Sequence, residues 1–144
     1  MAVRFDLVAP QVTFELTERA SLHDVPDLRA RIDVLQSLGF RIAIDDLGAG
    51  YADLSSFTEL RPDVVKLDMS FTRGIVTDTT KQTLVRTMRN LCEEIGTTFV
   101  VEGVETSEEL ERLYELGCDV FQGRFFAMPD TTFPAIEWSD IPVW

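Results

Sequence analysis

Two hydrophobic rhythms alternate along the chain. Short runs rich in β-branched and aromatic residues, such as Val12-Thr13-Phe14-Glu15-Leu16-Thr17, carry the pattern of strands. Between them, apolar residues recur every three or four positions, the pattern of helices with one buried face. Read in order, the pattern predicts a strand over 12–17 and then a helix opened by Asp24 and Pro26. That helix carries Leu28, Ile32, Leu35 and Leu38 and stops at Gly39. A second strand covers 40–44, a short helix 51–60 with Leu54 and Phe57, and a third strand 64–67. A longer helix covers about 79–95, with Leu84, Met88, Leu91 and Ile95 expected on one face and Gly96 at its end. A fourth strand covers 98–101, and Thr106 with Glu109 reads as the capping box of a helix that ends at Gly117. Val120-Phe121-Gln122 begins a fifth strand. The tail from Phe133 to Trp144 is expected to pack across one end of the fold. Repeated β-α units call for an α/β fold, a parallel sheet with right-handed crossovers.

Composition narrows the class. With 144 residues, 45% hydrophobic and 26% charged, the chain can form one domain with a real core. No apolar run approaches the ~20 residues that span a bilayer. The opening Met1-Ala2-Val3-Arg4-Phe5-Asp6 has no signal-peptide pattern, so a cytoplasmic location is expected. Cys92 and Cys118 fit no metal-knuckle spacing and read as buried thiols. A net charge of −12 argues against a basic surface for duplex nucleic acid. A phosphorylated ligand can bind such a chain only where divalent cations locally reverse the field.

The candidate chemistry lies where polar residues interrupt the strands. Ile42-Ala43-Ile44-Asp45-Asp46-Leu47-Gly48-Ala49-Gly50 is an apolar run that ends in two adjacent acids and a glycine loop. Adjacent carboxylates at a strand end are costly to hold together without a cation. Glu15, Asp45, Lys66, Glu102 and Gln122 each sit within or at the end of a different strand. In a (β/α) barrel, such positions converge on one site. Oxygen ligands without histidine or thiol favour Mg²⁺ or Mn²⁺ over zinc. His23, the lone histidine, precedes a helix and reads as a surface residue, which leaves serine or cysteine nucleophiles without a base. Carboxylates with a lysine suit metal-assisted phosphoryl chemistry, in which two metals share a bridging carboxylate. Asp45 is the candidate bridge, with Asp46 beside it, and Lys66 is placed to contact phosphate or orient water. A Mg²⁺-dependent barrel enzyme acting on an enolisable acid would also use strand-end acids and lysine. The loop from Asp45 to Tyr51 and the spacing from Glu102 to Thr106 argue against that reading.

These motifs together carry a family resemblance. Glu15-Leu16-Thr17-Glu18, Asp45-Asp46-Leu47-Gly48-Ala49-Gly50-Tyr51, Lys66-Leu67-Asp68, Val101-Glu102-Gly103-Val104-Glu105-Thr106 and Gln122-Gly123 strongly resemble the EAL family, in order and spacing over most of 12–129. The resemblance implies a TIM-like barrel that binds cyclic di-GMP and, in active members, linearises it to 5′-pGpG with Mg²⁺ or Mn²⁺. It implies metal ligands at Glu15, Asp45 and Asp46, catalytic roles for Lys66 and Glu102, and a substrate contact at Gln122. Glu18 is expected to anchor the loop after Asp45, and Glu105 to support the site from one step back. The segment from Tyr51 to Leu60 or an open sheet edge is the expected contact of a homodimer.

Two departures from the family pattern matter. Leu47, Ala49, Ala52 and Asp53 replace residues that commonly read Phe, Thr, Ser and Ser. The Glu-Ala-Leu motif and the asparagine ligand that follows it in the family are both absent from the chain. About five strands are expected of a barrel's eight, against ~250 residues for a full barrel. The chain therefore reads as a partial TIM-like (β/α) barrel, the C-terminal portion of an EAL domain over 1–144. With two metal ligands lacking, the isolated chain is expected to be weakly active or inactive. The alternative is a non-catalytic module that binds cyclic di-GMP or a protein partner.

Overall fold

The structure is a computed structural model and describes residues 7–17, 25–48 and 55–130. A 3-10 turn at Ala9–Gln11 leads into β1 (Thr13–Thr17), followed by α1 (Leu28–Ser37), β2 (Arg41–Leu47), α2 (Ser55–Leu60) and β3 (Val64–Leu67). The one-turn helix α3 (Met69–Thr72) then precedes α4 (Thr79–Ile95), β4 (Thr98–Val101), α5 (Ser107–Glu115) and β5 (Val120–Phe121). The five strands form one sheet in the order β1-β2-β3-β4-β5, and every neighbouring pair is parallel. Sequential order with helical crossovers is the topology of a barrel wall. The α/β class and the five-strand count agree with the sequence reading. Among the described residues, no helix is long and apolar enough to cross a membrane.

The core lies between the sheet and its helices. Ile42, Ile44, Val65, Leu67, Phe99 and Val101 alternate along their strands and face Ile32, Phe57, Val85, Cys92, Leu110 and Leu113 from the helices. A side-chain period of two sends the intervening residues, Ala43, Asp45, Val64, Lys66 and Val100, to the opposite face. The strand motif thus separates core from chemistry within single strands. Cys92 and Cys118 are both buried free thiols, and burial pushes their pKa values up to about 11 and about 12.

The helices follow their sequence signals at the ends more closely than along their faces. Thr106 caps α5 by accepting from the Glu109 amide at 3.2 Å, and the Glu109 carboxylate accepts back from the Thr106 amide at 3.3 Å. Asp78 caps α4 by accepting from the amides of Thr80 and Lys81, and Gly96 ends it in the left-handed region at φ 74°. The expected apolar face of α4 needs correction. Leu84 and Ile95 are 46% and 49% exposed, whereas Val85 and Cys92 are fully buried and Met88 packs beside them. Met88 packs inward as expected, but its buried companions at helical spacing are Val85 and Cys92 in place of Leu84 and Ile95. That set leaves the bulkier Leu84 outside.

Three further expectations are affected. The second strand runs on through Asp45 and Asp46 to Leu47, beyond the expected end at 44. The helix expected over 51–60 is seen as α2 from Ser55, with 51–54 outside the described residues. His23, Glu18 and the tail from Phe133 to Trp144 also lie outside the described residues.

Candidate metal centre

The path of β2 explains how two adjacent acids come to share one site. In a regular strand, Asp45 and Asp46 would point to opposite faces. Here the register passes from Ile44 opposite Val65 to Leu47 opposite Leu67, so β2 spends one more residue than β3 over this step. The extra residue makes a bulge, and Asp46 sits at φ 58° in the left-handed region. Aspartate tolerates that region better than most residues. The bulge cancels the alternation, and oxygens of Asp45, Asp46 and Glu102 all lie within 4.8 Å of one another.

Lys66 ties this group to the first strand. Its ammonium Nζ lies 2.7 Å from Glu102 Oε1, 2.9 Å from Asp45 Oδ1 and 3.2 Å from Glu15 Oε1. One cation on β3 thereby links acids from β1, β2 and the end of β4. Burial alone would lower the pKa of Lys66, but its close pairing with the Glu102, Asp45 and Glu15 carboxylates holds it above the ordinary value. The Glu102 carboxyl is pushed up by burial, and Asp45 and Asp46 add to that rise while Lys66 opposes it. The Glu15 side chain is about half exposed and reaches the group through Lys66; the close oxygen cluster comprises Asp45, Asp46 and Glu102.

The donor set suits a hard divalent cation. Three carboxylates gather around one ammonium, and Asp45 Oδ1 is buried without an aligned hydrogen bond despite the ion pair at 2.9 Å. A buried carboxylate oxygen left in that state is costly, and a further positive partner would lower the cost. An all-oxygen set suits a hard cation in preference to softer metals.

Beside the carboxylates lies a cleft of about 520 Å³, lined by Asp46, Glu102, Glu105 and Gln122 together with Met69, Arg73, Arg124 and Met128. Gln122 is held at its rim by two backbone bonds: its amide donates to Val101 O at 2.9 Å, and its carbonyl accepts from Val104 at 3.2 Å. Gly123 permits this crossing, since a Cβ there would stand 2.0 Å from the Val104 carbonyl oxygen. Glu105 pairs with Arg73 at 2.5 Å and with Arg124 at 3.6 Å. Of the sequence candidates, Glu15, Asp45, Lys66 and Glu102 meet at one point, and Gln122 and Glu105 line the adjoining cleft. Glu18 lies outside the described residues. Sequence reasoning missed Arg73, Arg124 and Thr72. The signal for Arg73 was available, as a cation in an acidic chain just after the Lys66-Leu67-Asp68 motif.

A family model described as the EAL domain matches residues 2–129. The chain belongs to the EAL domain family. The Escherichia coli oxygen sensor protein DosP is 34% identical over 134 residues, covering 93% of this chain and 16% of DosP. The cyclic di-GMP phosphodiesterase RocR of Pseudomonas aeruginosa is 33% identical over 129 residues, covering 90% of this chain and 33% of RocR. The structure of Klebsiella pneumoniae BlrP1 with manganese and cyclic di-GMP superposes with a TM-score of 0.80 at 40% identity, over 85% of this chain and 31% of that one. A standalone EAL protein of Vibrio cholerae in its c-di-GMP-bound form gives a TM-score of 0.82 at 31% identity, over 92% of this chain and 57% of that one. This EAL chain thus spans between 16% and 57% of the length of these relatives, and its five strands match part of their fold.

Proposed function

We propose that this chain carries the metal-dependent half of a cyclic di-GMP phosphodiesterase site, and that it corresponds to the C-terminal portion of an EAL domain. The observation that supports the reading best is the meeting of Asp45, Asp46 and Glu102 oxygens within 4.8 Å beside a cleft large enough for part of a nucleotide. Membership of the EAL family and the manganese and cyclic di-GMP present in the BlrP1 structure support the same choice of ligand and ion.

Asp45, Asp46 and Glu102 would hold Mg²⁺ or Mn²⁺, with Glu15 joining from β1. A bound ion would supply Lewis-acid activation of water and stabilisation of the leaving oxygen. The chain's own contribution is placement. The β2 bulge brings two carboxylates to one side, and Lys66 balances their charge and offers its ammonium to a phosphodiester oxygen. Gln122 stands at the cleft rim, where an amide can hydrogen-bond the ligand, and Glu105 fixes the two arginines of the wall. Hydrolysis in this scheme opens one phosphodiester of cyclic di-GMP with water and yields 5′-pGpG.

The test is calorimetric titration of the chain with cyclic di-GMP in Ca²⁺ or Mn²⁺, paired with an assay for 5′-pGpG. The expected result is binding that requires the divalent ion, weakened at least tenfold in Asp45→Asn, with little hydrolysis by the isolated chain. Failure to bind at any metal concentration would overturn the nucleotide reading and favour a protein-interaction module.

A further inference from the structure

The one-turn helix α3 (Met69–Thr72) and the arginine that follows it touch the Glu102 loop at three successive places. Thr72 is fully buried, and its hydroxyl donates to the Glu102 carbonyl at 2.6 Å. Arg73 Nη1 donates to the next carbonyl, Gly103 O, at 2.9 Å, while Nη2 pairs with Glu105. Met69 of α3 also presses on Gly103, where an added Cβ would lie 2.4 Å from Met69 Cβ and 3.1 Å from its Cα. Four residues are too few to hold a helical turn unaided. This one is braced from behind, because Lys81 Nζ on α4 donates to Ser70 O at 2.7 Å and to Arg73 O at 2.6 Å. From the front, the Asp68 side chain caps the turn by accepting from the Ser70 amide at 2.9 Å.

We propose that α3 is a positioning brace for Glu102, with Thr72 as its principal contact and Lys81 as its remote anchor. The proposal rests on the reading of Glu102 as a metal-holding carboxylate. β4 ends at Val101, so Glu102 has left the strand on its C-terminal side. Its amide is held by Leu67 O at 3.2 Å, and the Thr72 hydroxyl holds the other end of the same residue. Fixing both ends of the backbone restricts where the carboxylate can swing. That restriction matters most for a side chain whose oxygen must stay close to those of Asp45 and Asp46. A buried hydroxyl is costly unless bonded, so Thr72 has a strong preference for this acceptor geometry. Neither Thr72 nor Lys81 lines the cleft or belongs to the carboxylate cluster.

The experiment compares the full chain with Thr72→Val, Thr72→Ser and Lys81→Met. Two quantities are read: Mn²⁺ affinity by calorimetry, and amide hydrogen exchange over residues 103–105. Thr72→Val, close in shape but lacking the hydroxyl, is expected to lower Mn²⁺ affinity roughly tenfold, the scale of lost support behind a metal ligand. It is also expected to speed exchange at 103–105. Thr72→Ser should restore both, and Lys81→Met should move both in the same direction by less. Unchanged Mn²⁺ affinity in Thr72→Val and Lys81→Met, with wild type binding the ion, overturns the proposal even where exchange quickens. If the wild type binds no Mn²⁺, the metal reading itself falls. Exchange then decides the brace: faster exchange at 103–105 in both variants supports it, and unchanged exchange overturns it.

Discussion

Glu102 carries two opposed demands in one side chain. Its raised pKa means that the folded chain, without a cation, disfavours its charged form. The stability this group contributes is therefore full below the ordinary carboxylate value of 4.5 and is lost as pH rises through the higher folded value. At neutral pH the charged group is a strain on the fold that a divalent ion would relieve. Glu102→Gln is expected to raise the melting temperature by a few degrees at pH 7 without metal. The gain should fade below about pH 4, where the wild-type carboxyl is itself neutral. If the cluster holds the ion as proposed, Mn²⁺ should raise the melting temperature of wild type and raise that of this variant less. Scanning calorimetry at both pH values, with and without Mn²⁺, checks all three. The thiols make a separate prediction. With Cys92 and Cys118 buried and pushed up to about 11 and about 12, neither should react with iodoacetamide at pH 8 in the folded chain. Both should label fully in denaturant, as mass spectrometry would show.

At the level of elements, strands were easier to read than helix faces. β3 and β4 fall where their β-branched and aromatic runs put them, because a strand buried on its helix side must be apolar there. Lys66 and Glu102 stood out in those runs because a charge at such a place needs a reason. The bulge in β2 was not legible. Nothing in the letters Asp45-Asp46 tells which of them takes a positive φ, since that is decided by pairing with β3. Nor was α3 legible, because four residues carry no helical period and this turn is held by the Asp68 cap and by Lys81 from α4. The α4 face was misjudged because Leu84 and Val85 offer two competing stripes, and only the distance to the sheet chooses between them. The observed choice has a measurable consequence. Val85→Ala should cost roughly 1.5–3 kcal/mol in urea unfolding, from lost burial and a residual cavity. Leu84→Ala should stay within about 0.5 kcal/mol.

For the whole molecule, a charge of −12 on 144 residues means self-repulsion that salt can screen. Raising NaCl from 0.05 to about 0.5 M is expected to raise the melting temperature. Mn²⁺ at a hundred times its dissociation constant should add about 2.7 kcal/mol beyond that screening. Equal effects of Mn²⁺ and an ionic-strength-matched NaCl solution would mean the ion is held only by the general field. The β2 bulge has a wider consequence at this scale. A designer wishing to transplant the centre to another parallel sheet could copy all four acids and the lysine and still fail. On an evenly paired strand, one of the two neighbouring aspartates would end up among the helices. What must travel with the side chains is a counting mismatch between two strands, a property that belongs to neither sequence alone.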